Sequence, residues 1–433
     1  MPGPEDVAIA LKSPYYGLVF LALASQAYTD ENKKSSIAQC IYIALTAFDP
    51  STGTNFTPPL PASGLAGPSG ASVPPLPGNW SLDWGPAISD DNSNVIYIAS
   101  YRAPGPNNQG RPYFFSVVIR GTDTSAGFSG LMTQLAEDLR AFNTVSFADT
   151  LANGVPNPAE RDRAIMAGTI ANGSAQGFAL IANLKSRLNH GGPPPGMGKS
   201  MNVAEALLAL TEPFEAGTMP VVVTGHSLGA CQAQIFAAYL GWQLNAAQPM
   251  IAHAFAPPTP GFADFVQTYQ TWCPTSFFWH CEYDVVPYAY VTLPAEPGRD
   301  KIRGLEWAKA NLWSAYRWPA GAQDQNGNGI GGNPCPSLPE VLVLLIDGLD
   351  PLISEQYARP TIGLMPLTGA IPMPQTVIQG MLDNMNETNG DTTSGLTQLM
   401  WQHFPPNYSE RMAALYADQL AAYQWTSYYR KTS

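Results

Sequence analysis

Short apolar runs follow one another through the middle of the chain and predict strands. NVIYIASYR (94–102) and YFFSVVIRG (113–121) are rich in β-branched and aromatic residues and flank the turn-forming stretch APGPNNQGRP, so they predict adjacent strands. PVVVTGHS (220–227) opens as a continuous apolar run, which is typical of a buried parallel strand. MIAHAFAPP (250–258) and SFFWHCEYDVVP (276–287) predict the next two strands.

Helical patterns fill the intervals between these runs. Residues 130–142 place apolar side chains at helical spacing, residues 164–188 predict a second long helix, and the segment after Ser227 is also helical in pattern. Strands that alternate with helices predict an α/β fold with a mostly parallel central sheet flanked by helices on both faces. We expect a single large domain over residues 1–433 that carries a sizeable insertion.

Four segments lie outside this alternation. Ser13-Pro14 reads as an N-cap and first helical position, and it opens an almost wholly apolar helix that we expect to be buried. Residues 50–80 hold proline and glycine at a density that predicts a long surface excursion. Residues 295–400 lose the alternation, which predicts an insertion or cap that begins with an aromatic-rich helix, and residues 406–430 predict a closing amphipathic helix.

Composition narrows the classes of partner. The 433 residues carry a formal net charge of −12 and no basic cluster beyond neighbouring pairs, so we expect no nucleic-acid binding. No apolar run reaches the ~20 residues of a transmembrane helix. The acidic leader has the wrong charge for an export signal, which leaves the cytoplasm and secretion by another route open. The five scattered cysteines suggest no disulfide framework, and we expect no cofactor and no metal.

GHSLG (225–229) places Ser227 between two glycines, at the junction of a strand pattern and a helix pattern. A serine at such a turn is held in a strained, exposed position, and the glycines let neighbouring backbone approach closely. The five-residue pattern recurs by chance, but here the strand and the helix stand at the right offsets. Ser227 is therefore a candidate nucleophile, with a structural serine in a glycine-rich turn as the alternative.

A serine nucleophile needs an imidazole to accept its proton. The chain contains five histidines. His190 lies in a turn, His226 adjoins Ser227 and is expected to point away from it, and His253 and His280 lie inside predicted strands as core residues. His403, in the irregular stretch MWQHFPPNY, is the one that leaves room for an acid between itself and the serine, as the order serine, acid, histidine requires.

The imidazole needs a carboxylate to orient it, and the developing oxyanion needs hydrogen-bond donors. Asp284 follows a predicted strand at its carboxyl end, where α/β folds assemble their sites, and Asp347 and Asp350 are its rivals. Leu228 supplies a backbone N–H by its position after the serine. Thr122, in VVIRGTDTS, follows an earlier strand and supplies a second donor.

The motifs IRGTDT, AEDL, VVVTGHSLGA and DVVP, followed by a C-terminal histidine, resemble in this order the lipase class 3 family, the filamentous-fungal-type triacylglycerol lipases. The resemblance covers residues 94–290 and the neighbourhood of His403. It implies the α/β-hydrolase fold, with Ser227, Asp284 and His403 as the catalytic triad and with Thr122 and Leu228 at the oxyanion hole.

The resemblance also implies a lid, because in that family a short helix after the oxyanion threonine covers an apolar acyl groove. The alternative is that the same side chains are core residues. The lid candidates are Phe128, Leu131, Met132 and Leu135.

The chain departs from the family pattern in three ways, one of which is that MAGTIANG replaces the His-x-Gly-Phe type segment of the family. Leu135 stands where the family usually has a tryptophan, three residues before Asp138. Asp284 and His403 are 119 residues apart, which is more than the resemblance leads us to expect and locates the insertion within 295–400. DQNGNG (324–329) imitates the start of a calcium loop, but Cys335 stands where the bidentate glutamate belongs, which favours an Asn-Gly turn.

These patterns predict a hydrolase of carboxylic esters that acts on lipid esters, with triacylglycerol as the leading substrate and an acyl-serine intermediate. Such an enzyme would bind a lipid–water interface transiently. The alternatives are an esterase for short or aromatic acyl groups, a phospholipase or an acyltransferase of the same fold, and a lipid-binding relative without catalysis.

Overall fold

The structure is a computed structural model of the chain. It describes isolated positions between 41 and 76 and at 329, 403, 408, 411 and 412, and in addition residues 4–12, 16–27, 78–105, 110–121, 143–186, 200–245, 247–282, 284–288, 290–293, 302–311, 356–360 and 364–367. The predicted helix at 130–142, His190, Asp347 and Asp350 lie outside the described residues. So do most of the 50–80 and 295–400 segments, which stay predictions.

A seven-stranded sheet forms the centre of the described fold. Its strands lie side by side in chain order. The first three pair antiparallel, and each pair from the third strand onward is parallel. The strands are β1 (Asn79–Ile88), β2 (Val95–Arg102), β3 (Pro112–Ile119), β4 (Val221–His226), β5 (Met250–Phe255), β6 (Thr275–Cys281) and β7 (Leu364–Leu367).

Helices cover both faces of this sheet, which confirms the predicted fold class. In β4, Val222 belongs to the core under α2, whereas Val221 and Val223 belong to the core under α6. Because both faces are covered, the strand is apolar without alternation. The helices are α1 (Pro4–Leu11), α2 (Gly17–Gln26), α3 (Phe147–Ala152), α4 (Asn172–Asn183), α5 (Val203–Thr211), α6 (Leu228–Gln243), α7 (Ala263–Trp272) and α8 (Gly304–Asn311).

The α2 helix is the apolar helix predicted near the amino end. Its side chains from Leu18 to Ala24 are almost completely buried. Tyr97 Oη of β2 donates to the carbonyl of Leu23 at 2.8 Å, which ties the helix to the sheet. No helix in the described part of the chain is both long enough and apolar enough to cross a bilayer.

The predicted helix at 164–188 is wrong in its first half. Gly168 has φ +130°, in the region that favours glycine, and its Cα lies where a side chain would overlap the backbone of Phe265. This break lets Thr169–Ala171 form a short strand that pairs antiparallel with Thr144–Ser146. The helix therefore begins only at Asn172 and ends at Asn183.

The two edges of the sheet are strands that the apolar pattern did not reveal. β1 contains the Gly85-Pro86 bond, and β7 contains Pro366, opposite His280 of β6. Proline has no N–H to donate, so it is accommodated at a sheet edge and not in the centre. The proline-rich sequence around residue 366 is thus compatible with a strand because that strand lies at the edge.

Candidate active site

Ser227 occupies a sharp turn between β4 and α6. Its φ of 58° and ψ of −130° lie in a region that residues other than glycine seldom adopt. Its N–H donates to the carbonyl of Phe255 at 2.9 Å, and its own carbonyl accepts from Ala230 N–H at 2.9 Å in the first turn of the helix. The turn is therefore fixed to the end of β5 and to α6 while its side chain projects from the sheet.

The two glycines of GHSLG, Gly225 and Gly229, lie so close to neighbouring backbone that a side chain would not fit at either position. A Cβ at Gly225 would overlap the carbonyl oxygen of Gly229, and a Cβ at Gly229 would overlap that of Ile119, at the end of β3. The strand, the turn and the start of the helix are in mutual backbone contact at this point. The sequence expectation for GHSLG agrees with this geometry.

Three side chains from distant parts of the chain meet at this turn. Ser227 Oγ lies 2.9 Å from His403 Nε2, and His403 Nδ1 lies 2.9 Å from Asp284 Oδ2. All three residues are buried. An ionised carboxylate can only accept, so Nδ1 carries the proton that is donated to Asp284, and Nε2 is left to accept from the serine hydroxyl. The structure thus brings together the three residues that the sequence singled out.

Asp284 follows β6 and is completely buried, with hydrogen bonds at both carboxylate oxygens. Oδ1 accepts from Val286 N–H at 2.9 Å. Oδ2 accepts from His403 and also from the hydroxyl of Tyr408 at 2.6 Å. A buried carboxylate requires such partners, because the unpartnered charge would be very costly to bury.

Tyr408 is a member of the site that the sequence did not reveal. It is fully buried, and besides donating to Asp284 its hydroxyl accepts from Cys281 N–H at 3.1 Å. A single tyrosine five residues after a histidine, in an irregular stretch, carries no signal of this role. Only the contact of Tyr408 with the end of β6 brings its hydroxyl to the carboxylate.

His226 is hydrogen-bonded to the main chain of His403. Its Nε2 donates to the main-chain carbonyl of His403 at 2.8 Å, and the two rings lie 4.8 Å apart. Burial, and then the neighbouring His403, hold the pKa of His226 well below its ordinary value. The side chain is therefore a neutral donor that holds the backbone of the base.

His253 and His280 are core residues, as the sequence predicted. His253 is completely buried and stacks on Phe277 with ring centroids 4.6 Å apart. Burial lowers the pKa of His253 to about 3 and that of His280 to about 4. Neither ring is hydrogen-bonded to Ser227 in the described structure, whereas His403 is.

The structure describes only some of the residues that the sequence predicts as oxyanion donors. Leu228 is the first residue of α6, and N–H groups in the first turn of a helix have no acceptor within that helix. The backbone N–H of Gly121, the residue before Thr122, lies against Gly229. Thr122 and the lid candidates Phe128, Leu131, Met132 and Leu135 fall outside the described residues, so their roles stay predictions.

The described residues contain no group of three histidine, cysteine, aspartate or glutamate side chains arranged to hold a metal ion. An imidazole hydrogen-bonded to a serine hydroxyl and oriented by a carboxylate is the arrangement that makes serine nucleophilic.

Comparison with known proteins bears on the class of this chain. Residues 116–293 match the family model described as lipase (class 3), which confirms the resemblance drawn from the sequence. The match supports hydrolysis of lipid esters as the class of activity. No curated protein matches the chain.

Comparison with solved structures matches the chain to several lipases. M37 lipase is 18% identical, with a TM-score of 0.54 over 94% of each chain. Lipase II from Rhizopus niveus is 16% identical, with a TM-score of 0.29 over 46% of this chain and 57% of that chain. A lipase from Rhizopus microsporus var. chinensis is 16% identical, with a TM-score of 0.30 over 48% of this chain and 55% of that chain. The likeness to M37 lipase supports the α/β-hydrolase type of fold.

Proposed function

We propose that the chain hydrolyses carboxylic esters of lipids through an acyl-serine intermediate on Ser227, with triacylglycerol as the leading substrate class. The observation that carries the proposal is the continuous line of hydrogen bonds from Ser227 Oγ through the ring of His403 to Asp284, with both links at 2.9 Å. That line is buried and attached to a strained strand-to-helix turn, which is where this chemistry is performed in folds of this type.

The first half-reaction forms the acyl-serine. As Ser227 Oγ attacks the ester carbonyl, His403 Nε2 takes the hydroxyl proton, and Asp284 stabilises the resulting imidazolium through Nδ1–H. The carbonyl oxygen becomes an oxyanion that accepts from the N–H of Leu228 and, in our prediction, of Thr122. When the tetrahedral intermediate collapses, His403 returns its proton to the departing alcohol.

The second half-reaction releases the acid. A water molecule gives its proton to His403 Nε2 as its oxygen attacks the acyl carbonyl, and the same N–H groups donate to the oxyanion that forms. The second collapse restores the Ser227 hydroxyl with the proton held by His403. The imidazole therefore needs to be neutral at the start of each half-reaction, so activity is expected to fall as the medium becomes acidic.

The lipid substrate is supported by the family match over residues 116–293. Other members of the same reaction class differ in the acyl group or in the acceptor. A short-chain or aromatic-acyl esterase, a phospholipase and an acyltransferase would share the steps above, and a lipid-binding relative would show none of them.

The first experiment compares wild type with Ser227→Ala on a soluble p-nitrophenyl ester. We expect the variant to lose about 10³-fold or more in kcat and to lose covalent labelling by a fluorophosphonate. Ser174→Ala is the matched control, because Ser174 is a buried serine that contacts Cys231 of α6 and not the triad. Full activity in the Ser227 variant would refute the proposal.

The second experiment tests the identity of the base. We expect His403→Ala to abolish labelling, whereas His280→Ala keeps wild-type labelling per folded molecule. The two histidines are both buried, so circular dichroism and thermal melting report whether either change unfolds the chain. If the His280 variant alone loses labelling, our proposal that His403 is the base is wrong.

A third experiment separates the substrate classes. Rates on esters of increasing acyl length, each supplied below and above the concentration at which it forms an emulsion, distinguish a lipase from an esterase. A lipase is expected to prefer long acyl chains and to be most active on the emulsified substrate. A preference for short, monomeric esters would retain the chemistry and replace the substrate class.

A further inference from the structure

We propose that Tyr408 is a positioning residue of this site: its hydroxyl fixes the carboxylate of Asp284 to the end of β6 while its ring supports the backbone of His403 through His226. The inference rests on the proposed function, since it concerns the acid and the base of that mechanism. It adds a fourth side chain whose effect is exerted through Asp284 and His403 and not through the substrate.

The orientation of the Tyr408 hydroxyl is determined by its two partners. The N–H of Cys281 can only donate, so the hydroxyl oxygen accepts from it at 3.1 Å. The hydroxyl proton is then directed to Asp284 Oδ2, which lies 2.6 Å away. Burial, followed by the nearby charge of Asp284, holds the pKa of Tyr408 well above its ordinary value, so the group stays protonated and remains a donor.

Two donors thus converge on the same carboxylate oxygen. Oδ2 accepts from Tyr408 and from His403 Nδ1, while Oδ1 accepts from Val286 N–H. The main chain thus holds the carboxylate at two points. After Asp284, Val286 N–H donates directly to Oδ1, and before Asp284, Cys281 N–H donates to the Tyr408 hydroxyl that donates to Oδ2. Without the tyrosine hydroxyl, the carboxylate keeps one neutral donor and one imidazole, and Cys281 N–H loses its acceptor.

The ring of Tyr408 contacts the support of the base. It meets the ring of His226 edge-on, with centroids 5.9 Å apart and an interplanar angle of 84°. His226 in turn donates to the carbonyl of His403. The titratable groups that face Tyr408 are therefore Asp284, His226 and the buried thiol of Cys281.

This arrangement predicts two separable effects of removing the hydroxyl. The carboxylate and imidazole become less well oriented, which lowers kcat and leaves substrate binding unchanged. In addition, the carboxylate charge is shared with one donor fewer, so it attracts the protonated form of the imidazole more strongly. The acidic limb of the kcat profile is therefore expected to move to higher pH.

Tyr408→Phe tests both effects, and Tyr97→Phe is its control. Tyr97 is also completely buried, and its hydroxyl donates to the carbonyl of Leu23 at 2.8 Å, remote from the triad in the hydrogen-bond network. We expect Tyr408→Phe to lower kcat about tenfold with KM unchanged, and to raise the midpoint of the acidic limb by about half a pH unit. Tyr97→Phe is expected to lower the melting temperature without changing kcat or the limb.

If Tyr408→Phe and Tyr97→Phe have the same kcat and the same acidic limb as wild type, the inference is wrong. Should Tyr408→Phe fail to fold, incorporation of 3-fluorotyrosine at position 408 provides a second test. The hydroxyl of 3-fluorotyrosine is a stronger donor than that of tyrosine, so the acidic limb of the kcat profile is expected to move to lower pH. An acidic limb at the wild-type pH overturns the inference. Ser227→Ala, assayed in parallel, separates the two failures: an active alanine variant refutes the function itself.

Discussion

Asp284 Oδ2 and His403 Nδ1 lie 2.9 Å apart although 119 residues separate them in the chain. Asp284 follows β6, and Tyr408, five residues after His403, accepts from the N–H of Cys281 in the same strand. Arg411 also donates to the carbonyl of Leu367, at the end of β7. The contacts of Tyr408 and Arg411 with the ends of these two strands thus accompany the short distance between Asp284 and His403.

Asp284→Asn is predicted to lower kcat about 10³-fold or more with little change in fold. An amide presents donor hydrogens at one terminus, yet Oδ2 receives donors from both His403 and Tyr408. If the amide NH2 takes the Oδ2 position, both lose their acceptor, and the imidazole can accept from it only in the tautomer whose Nε2 carries the proton and cannot accept from Ser227. If the NH2 takes the Oδ1 position, it opposes the N–H of Val286. Steady-state kinetics together with far-UV circular dichroism check this, and a loss of less than tenfold would exclude Asp284 as the orienting acid.

Ser227→Gly is predicted to be more stable than Ser227→Ala, by about 1–2 kcal/mol, although both are inactive. The φ of 58° and ψ of −130° at this position are strained for any residue with a Cβ and accessible to glycine. Both variants lack the hydroxyl, so the difference between them isolates the backbone strain. Urea unfolding of the two proteins measures it, and equal stabilities would show that the turn is unstrained.

Gly229→Ala is predicted to lower both stability, by about 1–3 kcal/mol, and kcat. The added methyl group would overlap the carbonyl of Ile119 and the N–H of Gly121, so either that backbone or the start of α6 must move, and Leu228 N–H moves with it. Gly154→Ala is the control, because Gly154 has φ +97° and no other atom within 4 Å of the new methyl group. It should cost stability alone. Unchanged kcat in the Gly229 variant would contradict the prediction.

Acidification is predicted to destabilise the fold through His253. Burial lowers the pKa of His253 to about 3, whereas a histidine in the unfolded chain keeps its ordinary pKa of 6.5, so the unfolded chain binds the extra proton between these values. Stability is therefore fully present above about pH 6.5 and is lost as the pH falls toward 3, by about 2 kcal/mol at pH 5 from this residue.

His253→Phe tests that contribution while it retains an aromatic ring between Phe20 and Phe277. The free energy of unfolding is measured by urea titration at about pH 7 and about pH 5. We expect the decrease between the two values to be smaller in the variant by about 2 kcal/mol. Because the comparison is between two conditions, any constant cost of the substitution cancels. Parallel curves for the two proteins would assign the acid sensitivity to other groups.

The parts of this fold that the sequence predicts are those with a local signal. β4 is continuously apolar because helices cover both of its faces, and the glycines of GHSLG mark a turn whose close contacts admit no Cβ. The strand, the turn and Ser227 could therefore be located from one short stretch. Asp284 and His403 were predicted from the groups that a serine nucleophile needs and from their order in the chain. The hydrogen bonds that link them to Ser227 agree with that expectation.

The parts that the sequence did not predict depend on distant partners. β7 is a strand because it pairs with β6, and Pro366 is tolerated only because no strand pairs beyond it within the described sheet. The expected helix at 164–188 is interrupted because Thr169–Ala171 pairs with Thr144–Ser146. Tyr408 acquires its role from Asp284, 124 residues earlier in the chain. None of these relationships leaves a periodic trace in the sequence.

The chain order of the site has a consequence for protein synthesis. Ser227 leaves the ribosome 176 residues before His403, which at roughly 5–20 residues per second is a delay of about 10–35 s. During that interval Ser227 has no imidazole partner, and Asp284 has neither His403 nor Tyr408. Under the proposed function, a ribosome-bound chain therefore lacks its general base until His403 has been synthesised.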